Sequence, residues 1–317
     1  MKPVFQALGN GVYCIDALYT APNIACCYLV VSGSECALIE TGTANSLTNI
    51  LATLQALDID TAQLRYVIPT HVHLDHAGGA GALLQHFPEA QLLIHPRGSA
   101  HMIDPTRLIA SSQQVYGEAL FAQLYGVVVP VEAHRVRVLE DADTVLLGDR
   151  PLHVKHTRGH ADHHFCLFDE QSRGWFSGDM FGVSYARQRY AQGAFVMPAT
   201  TPTQFDPALY KESVNALCEA TPQLFYLTHF GALTFEAAQR ERLLRQLDAY
   251  ALLGNAYAGD LNALEASVLD VTRSELAKLV PQDQTMVEAE SLGQDASLNA
   301  QGIAWWSNRQ SAATRAS

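Results

Sequence analysis

The sequence predicts an α/β chain that ends in an all-helical C-terminal extension, and three observations carry that expectation. Up to about residue 231, short apolar runs of strand length alternate with segments of helical periodicity. Beyond Gly231 every long segment reads as helix. Of the 317 residues, 48% are hydrophobic and 16% charged, so the chain carries enough apolar surface to bury a large core. The boundary is expected near 232, with a mixed part at 1–232 and a helical part at 233–317.

The elements follow in order. Residues 12–15, 26–31 and 36–39 are β-branched or apolar runs, the last two joined through Gly33 at hairpin spacing. Leu47, Ile50, Leu51, Leu54 and Leu57 then recur on one helical face behind the capping candidates Asn45 and Ser46. A strand at 64–68 stops at Pro69, and another runs over 91–94. Val115, Tyr116, Ala119, Leu120, Leu124 and Tyr125 predict one helix over 111–125. Strands are expected at 135–139, 144–147, 152–156, 164–168 and 174–177, a long loop at 181–205, a helix near 206–220 and a strand at 224–227. In the extension, Thr234 is the expected cap of a helix bearing Leu243, Leu244, Leu247 and Tyr250. Thr272 and Glu275 fit a capping box before Leu276, and residues 310–317 read as a frayed end.

Charge and composition exclude several function classes. Lys and Arg total 20 against 32 for Asp and Glu, a net charge of −12, which speaks against nucleic acid or an anionic membrane as partner. No stretch approaches the roughly 18 to 20 apolar residues of a membrane span, and residues 1–11 lack the apolar run of a signal peptide. Six cysteines without a C-x-x-C pair read as reduced thiols. A cytoplasmic protein acting on a small molecule is expected, with the helical part available for a homodimer. The 13 histidines are the first functional hint.

Directly behind the strand at 64–68 stands Thr70-His71-Val72-His73-Leu74-Asp75-His76, followed by Ala77-Gly78-Gly79. Three imidazoles and a carboxylate in six residues supply four ligands for first-row metals from one loop. Four ligands leave two ions undercoordinated, so partners are required elsewhere, each at a strand edge, where α/β layers carry their sites. Gly159-His160-Ala161-Asp162-His163-His164, Ser177-Gly178-Asp179 and Thr228-His229 meet that demand. His95, at the end of the strand at 91–94, is a weaker candidate for lining the same edge. His86, His101, His134 and His153 read as surface or core groups.

The set resembles the metallo-β-lactamase-fold hydrolase superfamily, in pattern its glyoxalase II-like branch, over residues 4 to 231. The resemblance implies an αββα sandwich of two mixed β-sheets flanked by helices, with a binuclear site at its edge. By position, it implies His71, His73 and His160 as ligands of one divalent ion, Asp75, His76 and His229 as ligands of the second, and Asp179 as the bridge. His164 and Glu40 would support the ligands from behind. Glu40-Thr41-Gly42 stands where many members have Asp-Thr-Gly, and Asp162 and His163 replace a frequent Pro and Gly, so both are expected to be non-ligands.

Two such ions, with zinc the first expectation and iron or manganese the alternatives, lower the pKa of a bridging water toward 7. The hydroxide so formed is the expected nucleophile on a thioester, lactone or related ester, with Asp75 orienting it and shuttling a proton. No serine or cysteine nucleophile is needed. Gly182-Val183-Ser184-Tyr185-Ala186 is only a near match to a nucleophile elbow, and Gly78-Gly79-Ala80-Gly81 fits neither a phosphate loop nor a dinucleotide turn. An aromatic wall of Tyr116, Phe121, Tyr125, Phe181, Tyr185 and Phe195 suits an apolar acyl group, with Tyr116, Phe181 and Tyr185 the leading candidates. Arg240, Arg242 and Arg245 are candidates for an anionic leaving group. The alternatives are an iron-dependent redox protein, either a persulfide dioxygenase or a diiron oxygen-binding protein, and a small-molecule phosphodiesterase.

Overall fold

Seven strands in chain order form the first sheet of the computed structural model, which describes residues 2–200, 202–257 and 259–316, and of Val115 and residues 313–316 the backbone alone. They are β1 Phe5–Gly9, β2 Val12–Asp16, β3 Cys26–Ser32, β4 Glu35–Ile39, β5 Leu64–Ile68, β6 Gln91–Ile94 and β7 Val136–Val138. The pairs up to β4 are antiparallel and those from β4 to β7 parallel. The second sheet begins with the antiparallel run β8 Thr144–Leu147, β9 Arg150–His156, β10 Phe165–Asp169 and β11 Gly174–Gly178. A two-stranded ribbon, β12 Arg189–Tyr190 and β13 Gly193–Ala194, interrupts the order before β14 Leu224–Leu227 pairs parallel with β11 and β15 Gly231–Thr234 closes the edge.

Helices fill the connections: α1 Leu47–Ala56, α2 Leu74–Ala77, α3 Ala80–His86, α4 Pro96–Ile103, α5 Thr106–Tyr116, α6 Glu118–Tyr125 and α7 Pro207–Glu219. The C-terminal part consists of α8 Ala237–Ala256, α9 Leu261–Leu276, α10 Gln282–Glu290 and α11 Gly293–Ala316. Two mixed sheets flanked by helices are the architecture the resemblance implies.

The chain divides into two compact units. The first holds Met1–His156, His163–Gly178 and Gln223–Ala232. In it the first sheet has apolar residues on both faces, as period-2 strands buried twice must. One face, with Ile15, Leu29, Leu38, Val67 and Leu92, packs with Ile50 and Leu54 of α1 and Leu83 of α3. The other, with Val12, Tyr28, Val30, Ile39 and Leu93, packs on Val145, Leu152, Phe165, Phe176 and Tyr226 of the second sheet.

The second unit holds Thr157–Asp162, Asp179–Pro222 and Leu233–Ser317. Backbone hydrogen bonds explain why 179–222 groups with the C-terminal helices. Arg242 donates to the Ala194 carbonyl, Gln246 to that of Val196, and Asn299 to that of Pro198 while accepting from the Thr200 amide.

Several expected elements differ. The helix over 111–125 is two helices, because Gly117 at φ 75° turns the chain between α5 and α6. Glu236, in a reciprocal box with Gln239, caps α8, while Thr234 lies in β15. Thr272 sits inside α9, its hydroxyl donating to the Val268 carbonyl, and does not start a helix. Residues 310–316 continue α11 as helix; Ser317 lies outside the described residues. Among the described residues no helix is long and apolar enough to cross a membrane.

Candidate metal centre

β4 and β5 run parallel with Ile39 opposite Ile68, so the residues that leave both strands emerge side by side. Glu40 leaves β4 at φ 63°, a left-handed backbone that few non-glycine residues adopt. This conformation turns its fully buried carboxylate toward the loop behind β5. Oε2 accepts from the Thr70 amide at 3.1 Å, and Oε1 accepts from the hydroxyls of Thr70 at 2.6 Å and Thr228 at 3.1 Å. Nδ1 of His76 also donates to Oε1, at 3.1 Å.

These partners decide which nitrogen of each imidazole is left for a ligand role. Because the Thr70 proton goes to Glu40, the Thr70 oxygen accepts from Nδ1 of His71 at 3.1 Å, and Nε2 of His71 keeps its lone pair. His76, with Nδ1–H on Glu40, likewise presents Nε2. His229 donates Nδ1–H to the Ile24 carbonyl at 2.8 Å and presents Nε2, 3.4 Å from Oδ2 of Asp75. The same carboxylate oxygen lies 3.6 Å from Nε2 of His76. Nε2 of His71 and Nδ1 of His73 converge to 2.7 Å, as two ligands of one ion would. The first unit therefore gathers five of the expected ligands into two adjacent groups, with Asp75, His76 and His229 mutually within reach of one cation.

His160 and Asp179 belong to the second unit, where Nε2 of His160 lies 3.4 Å from Oδ2 of Asp179. His160 donates Nδ1–H to the Ala199 carbonyl at 2.8 Å, the same outward anchoring as in the first unit. Gly159, at φ 116°, is packed so closely on Tyr210 that any Cβ there would collide with its backbone. Tyr210 in turn donates its hydroxyl to the Asp179 carbonyl at 2.5 Å, so both candidate ligands hang on α7.

Other expected residues fall as follows. His164 is fully buried, its ring 4.9 Å from that of His71, and a Cβ on Gly178 (φ 50°) would collide with its Nε2 and with Thr70. His163, expected to be a non-ligand, takes the Val72 amide on Nδ1 at 3.4 Å and lies 5.4 Å from the ring of His73. His95 caps α4 through Nδ1 and pairs with His156 at 4.1 Å between ring centres. Among the wall residues, Tyr116, Phe121 and Tyr125 cluster with Leu74 of the ligand loop. Phe181 and Phe195 are fully buried, and Tyr185 donates its hydroxyl to Asp295 at 2.8 Å. Ser184 is buried too, away from any nucleophile role.

The three arginines of α8 are engaged in packing. Arg240 donates to Asn215, Arg242 to the Ala194 carbonyl, and Arg245 makes a two-pronged pair with Glu275. Burial pushes the thiol of Cys36 up to about 12 and that of Cys218 to about 11, so neither is a thiolate at neutral pH.

Sequence reasoning did not find Tyr19 or the Ile24 carbonyl, both on the loop between β2 and β3. Thr70 and Thr228 had a legible signal: each is a hydroxyl residue directly before a candidate ligand histidine.

Residues 20–220 match the model of the metallo-beta-lactamase superfamily. ST1585, a metallo-beta-lactamase fold-containing protein of Sulfurisphaera tokodaii, is 28% identical over 71% of this chain and 80% of its own. Its solved structure superposes with a TM-score of 0.65, covering 93% of this chain and 98% of that one, at 22% identity. The acyl-coenzyme A thioesterase MBLAC2 of Gallus gallus is 32% identical over 55% of this chain and 64% of its own. A hydroxyacylglutathione hydrolase of Aeromonas hydrophila is 29% identical over 44% of this chain and 41% of its own. With the family model covering most of the α/β part, the chain belongs to the metallo-beta-lactamase superfamily.

Proposed function

We propose that the protein is a metal-dependent hydrolase of acyl thioesters or related esters, with a binuclear site. In this reading His71, His73 and His160 hold one ion, Asp75, His76 and His229 the other, and Asp179 both. The observation that carries it is the outward anchoring of His71, His76, His160 and His229. In each, Nδ1 is held by an oxygen acceptor, which fixes the tautomer that leaves Nε2 as a metal ligand. All donors are nitrogen or carboxylate oxygen, a set that suits zinc, iron or manganese.

Two divalent ions in that set supply an acidified water at neutral pH and electrophilic stabilisation of a carbonyl oxygen. The chain's own groups do the rest. Asp75 is half-buried, and its Oδ2 lies 3.6 Å from Nε2 of His76 and 3.4 Å from Nε2 of His229, so the carboxylate stands where it would share a cation with them and take up a proton at the reacting centre. The raised thiols of Cys36 and Cys218 and the buried Ser184 are poorly suited to compete with water.

Two relatives, an acyl-coenzyme A thioesterase and a hydroxyacylglutathione hydrolase, favour a thioester. The engagement of Arg240, Arg242 and Arg245 with protein partners speaks against them as a site for an anionic thiol and supports recognition through the acyl side. Elemental analysis of gently purified protein, combined with a panel of acyl thioesters, lactones and small phosphodiesters, tests the proposal. About two equivalents of Zn, Fe or Mn with turnover of the thioesters is the expected result. A metal-free active protein would overturn it, as would visible absorbance that bleaches with dithionite in a protein hydrolysing none of the panel, which points to iron redox chemistry instead.

A further inference from the structure

The loop between β2 and β3 holds three non-glycine residues in the left-handed region, Leu18 at φ 52°, Thr20 at φ 56° and Asn23 at φ 62°. For a β-branched threonine this is an outlier, and such backbone persists only where its surroundings over-determine it. Here the buried Asp16 does so. Its Oδ1 accepts the Leu18 amide and its Oδ2 the Asn23 amide, each at 2.8 Å, while the Ala17 carbonyl accepts the Ser46 hydroxyl at 2.7 Å. The loop so held carries two things toward the ligand residues: the Ile24 carbonyl that orients His229, and the side chain of Tyr19.

Tyr19 is half-buried and stacks on Tyr125, with ring centres 6.1 Å apart and hydroxyl oxygens 3.3 Å apart. Two phenols bring two protons, and one is used between them: Tyr19 donates to Tyr125, and rotation of the two hydroxyls reverses that bond and frees the Tyr19 proton for a ligand. Among the described residues no acceptor is placed for the other, so the pair is a ready hydrogen-bond donor. Leu74, the neighbour of Asp75 in the ligand loop, packs in the same cluster as the pair, and burial, and after it the negative charge of Asp75, push both phenols upward. Apolar and aromatic neighbours pack around the pair, among them Leu74, Phe121, Leu108, Ile109 and Leu124. A neutral donor set in hydrocarbon beside a candidate metal ligand suits an uncharged carbonyl or a carboxyl oxygen that carries an apolar chain. It does not suit a phosphate, which calls for a cation.

We propose that Tyr19, backed by Tyr125, binds an oxygen of the substrate's acyl group, and that the acyl chain lies against the cluster of Leu108, Ile109 and Leu124. The assignment rests on the hydrolase reading above. Tyr19 is thereby a specificity-determining residue, and the preferred substrates are those with a hydrocarbon acyl group longer than acetyl.

The test uses the metal-loaded full chain, octanoate and acetate as binding probes in calorimetry, and the acetyl and octanoyl thioesters of N-acetylcysteamine. The parent is expected to bind octanoate more than tenfold tighter than acetate, since each further methylene buried against the cluster adds to affinity. Tyr19→Phe, which keeps the ring and its stacking, is expected to weaken octanoate binding about tenfold and to raise KM for the octanoyl thioester with a smaller change in kcat. Its metal content and Tm should match the parent. Tyr125→Phe serves as the second variant and should weaken octanoate binding in the same direction, so a folding failure of one leaves the other to decide. Octanoate binding within twofold of the parent in the folded variant overturns the role of Tyr19, and equal affinity of the parent for acetate and octanoate overturns the placement of the chain. If the parent binds octanoate as expected and hydrolyses no thioester, the hydrolase reading fails while the binding assignment stands.

Discussion

Nδ1 of His76 meets Oε1 of Glu40 at 3.1 Å, and the same carboxylate receives Thr70 and Thr228. One buried side chain thus fixes the loop behind β5, the short helix α2 and the end of β14. A carboxylate one methylene longer than the aspartate common in the family reaches all three, and the left-handed backbone at Glu40 aims it.

Glu40→Gln keeps shape and volume but loses the charge and one acceptor: its NH2 opposes either the donors at Oε1, His76 among them, or the Thr70 amide at Oε2. Metal affinity is expected to fall about 10- to 100-fold, in line with other losses of a group that orients a ligand histidine. Chelator competition with purified protein checks it; unchanged affinity would show that His76 is oriented without Glu40.

Asp75→Asn leaves a side chain of the same size between His76 and His229 and removes its charge and its proton-accepting capacity. Hydrolysis is expected to drop at least about 10²-fold, the lower range for loss of a positioned acid–base group, with the fold intact by circular dichroism. Retention of the parental rate in steady-state assays would remove Asp75 from the chemistry.

Removal of bound metal should destabilise the chain, because ions that bind only the folded state add RT ln(1 + [L]/Kd), about 2.7 kcal/mol at a hundredfold excess over Kd. Thermal unfolding before and after dialysis against a chelator is expected to show a lower Tm that readdition of zinc restores. A Tm indifferent to metal contradicts this.

Away from the site, Asp169 and Arg150 form a fully buried ion pair in the first unit, with Ser172 also donating to the carboxylate. Burial pushes the Asp169 carboxyl up, but the hydrogen bonds from Arg150 and Ser172 and the Arg150 charge outweigh it and hold the group below its ordinary value. A depressed folded pKa contributes stability that is present above the unfolded value of about 3.9 and is lost as pH falls through the folded one. Asp169→Asn strands Arg150 and is expected to cost about 3 kcal/mol at pH 7. The deficit relative to the parent should shrink below about pH 4, where the parent's own carboxyl begins to protonate. Urea unfolding of both proteins at pH 7 and pH 3 measures it, and a deficit that stays constant with pH would show that charge is not its origin.

Much of the site was legible because its residue types sit close in sequence and directly behind strands. His71, His73, Asp75 and His76 share six positions, and His160, Asp179 and His229 each follow a strand. Period-2 and period-3.6 patterns marked most strands and helices, since burial on one face or two leaves a direct trace in the order of apolar residues. Short motifs read without their context misled: Thr272 and Glu275 match a capping box, yet in α9 the threonine bonds back to Val268 and the glutamate pairs with Arg245 and Lys278. Likewise one run of apolar residues at 111–125 hid a break that the backbone of Gly117 makes.

The sequence by itself determined the α/β class, the superfamily, and the residue types from which a metal centre is built. Only the tertiary structure decided which nitrogen of each histidine faces inward, which arginines are engaged, and that Tyr19 stacks on Tyr125 in the cluster around Leu74. The physical reason is that these outcomes rest on contacts between distant positions, often to a backbone carbonyl. His229 and the Ile24 oxygen are separated by 205 positions, and a carbonyl that every residue carries leaves no mark in the sequence.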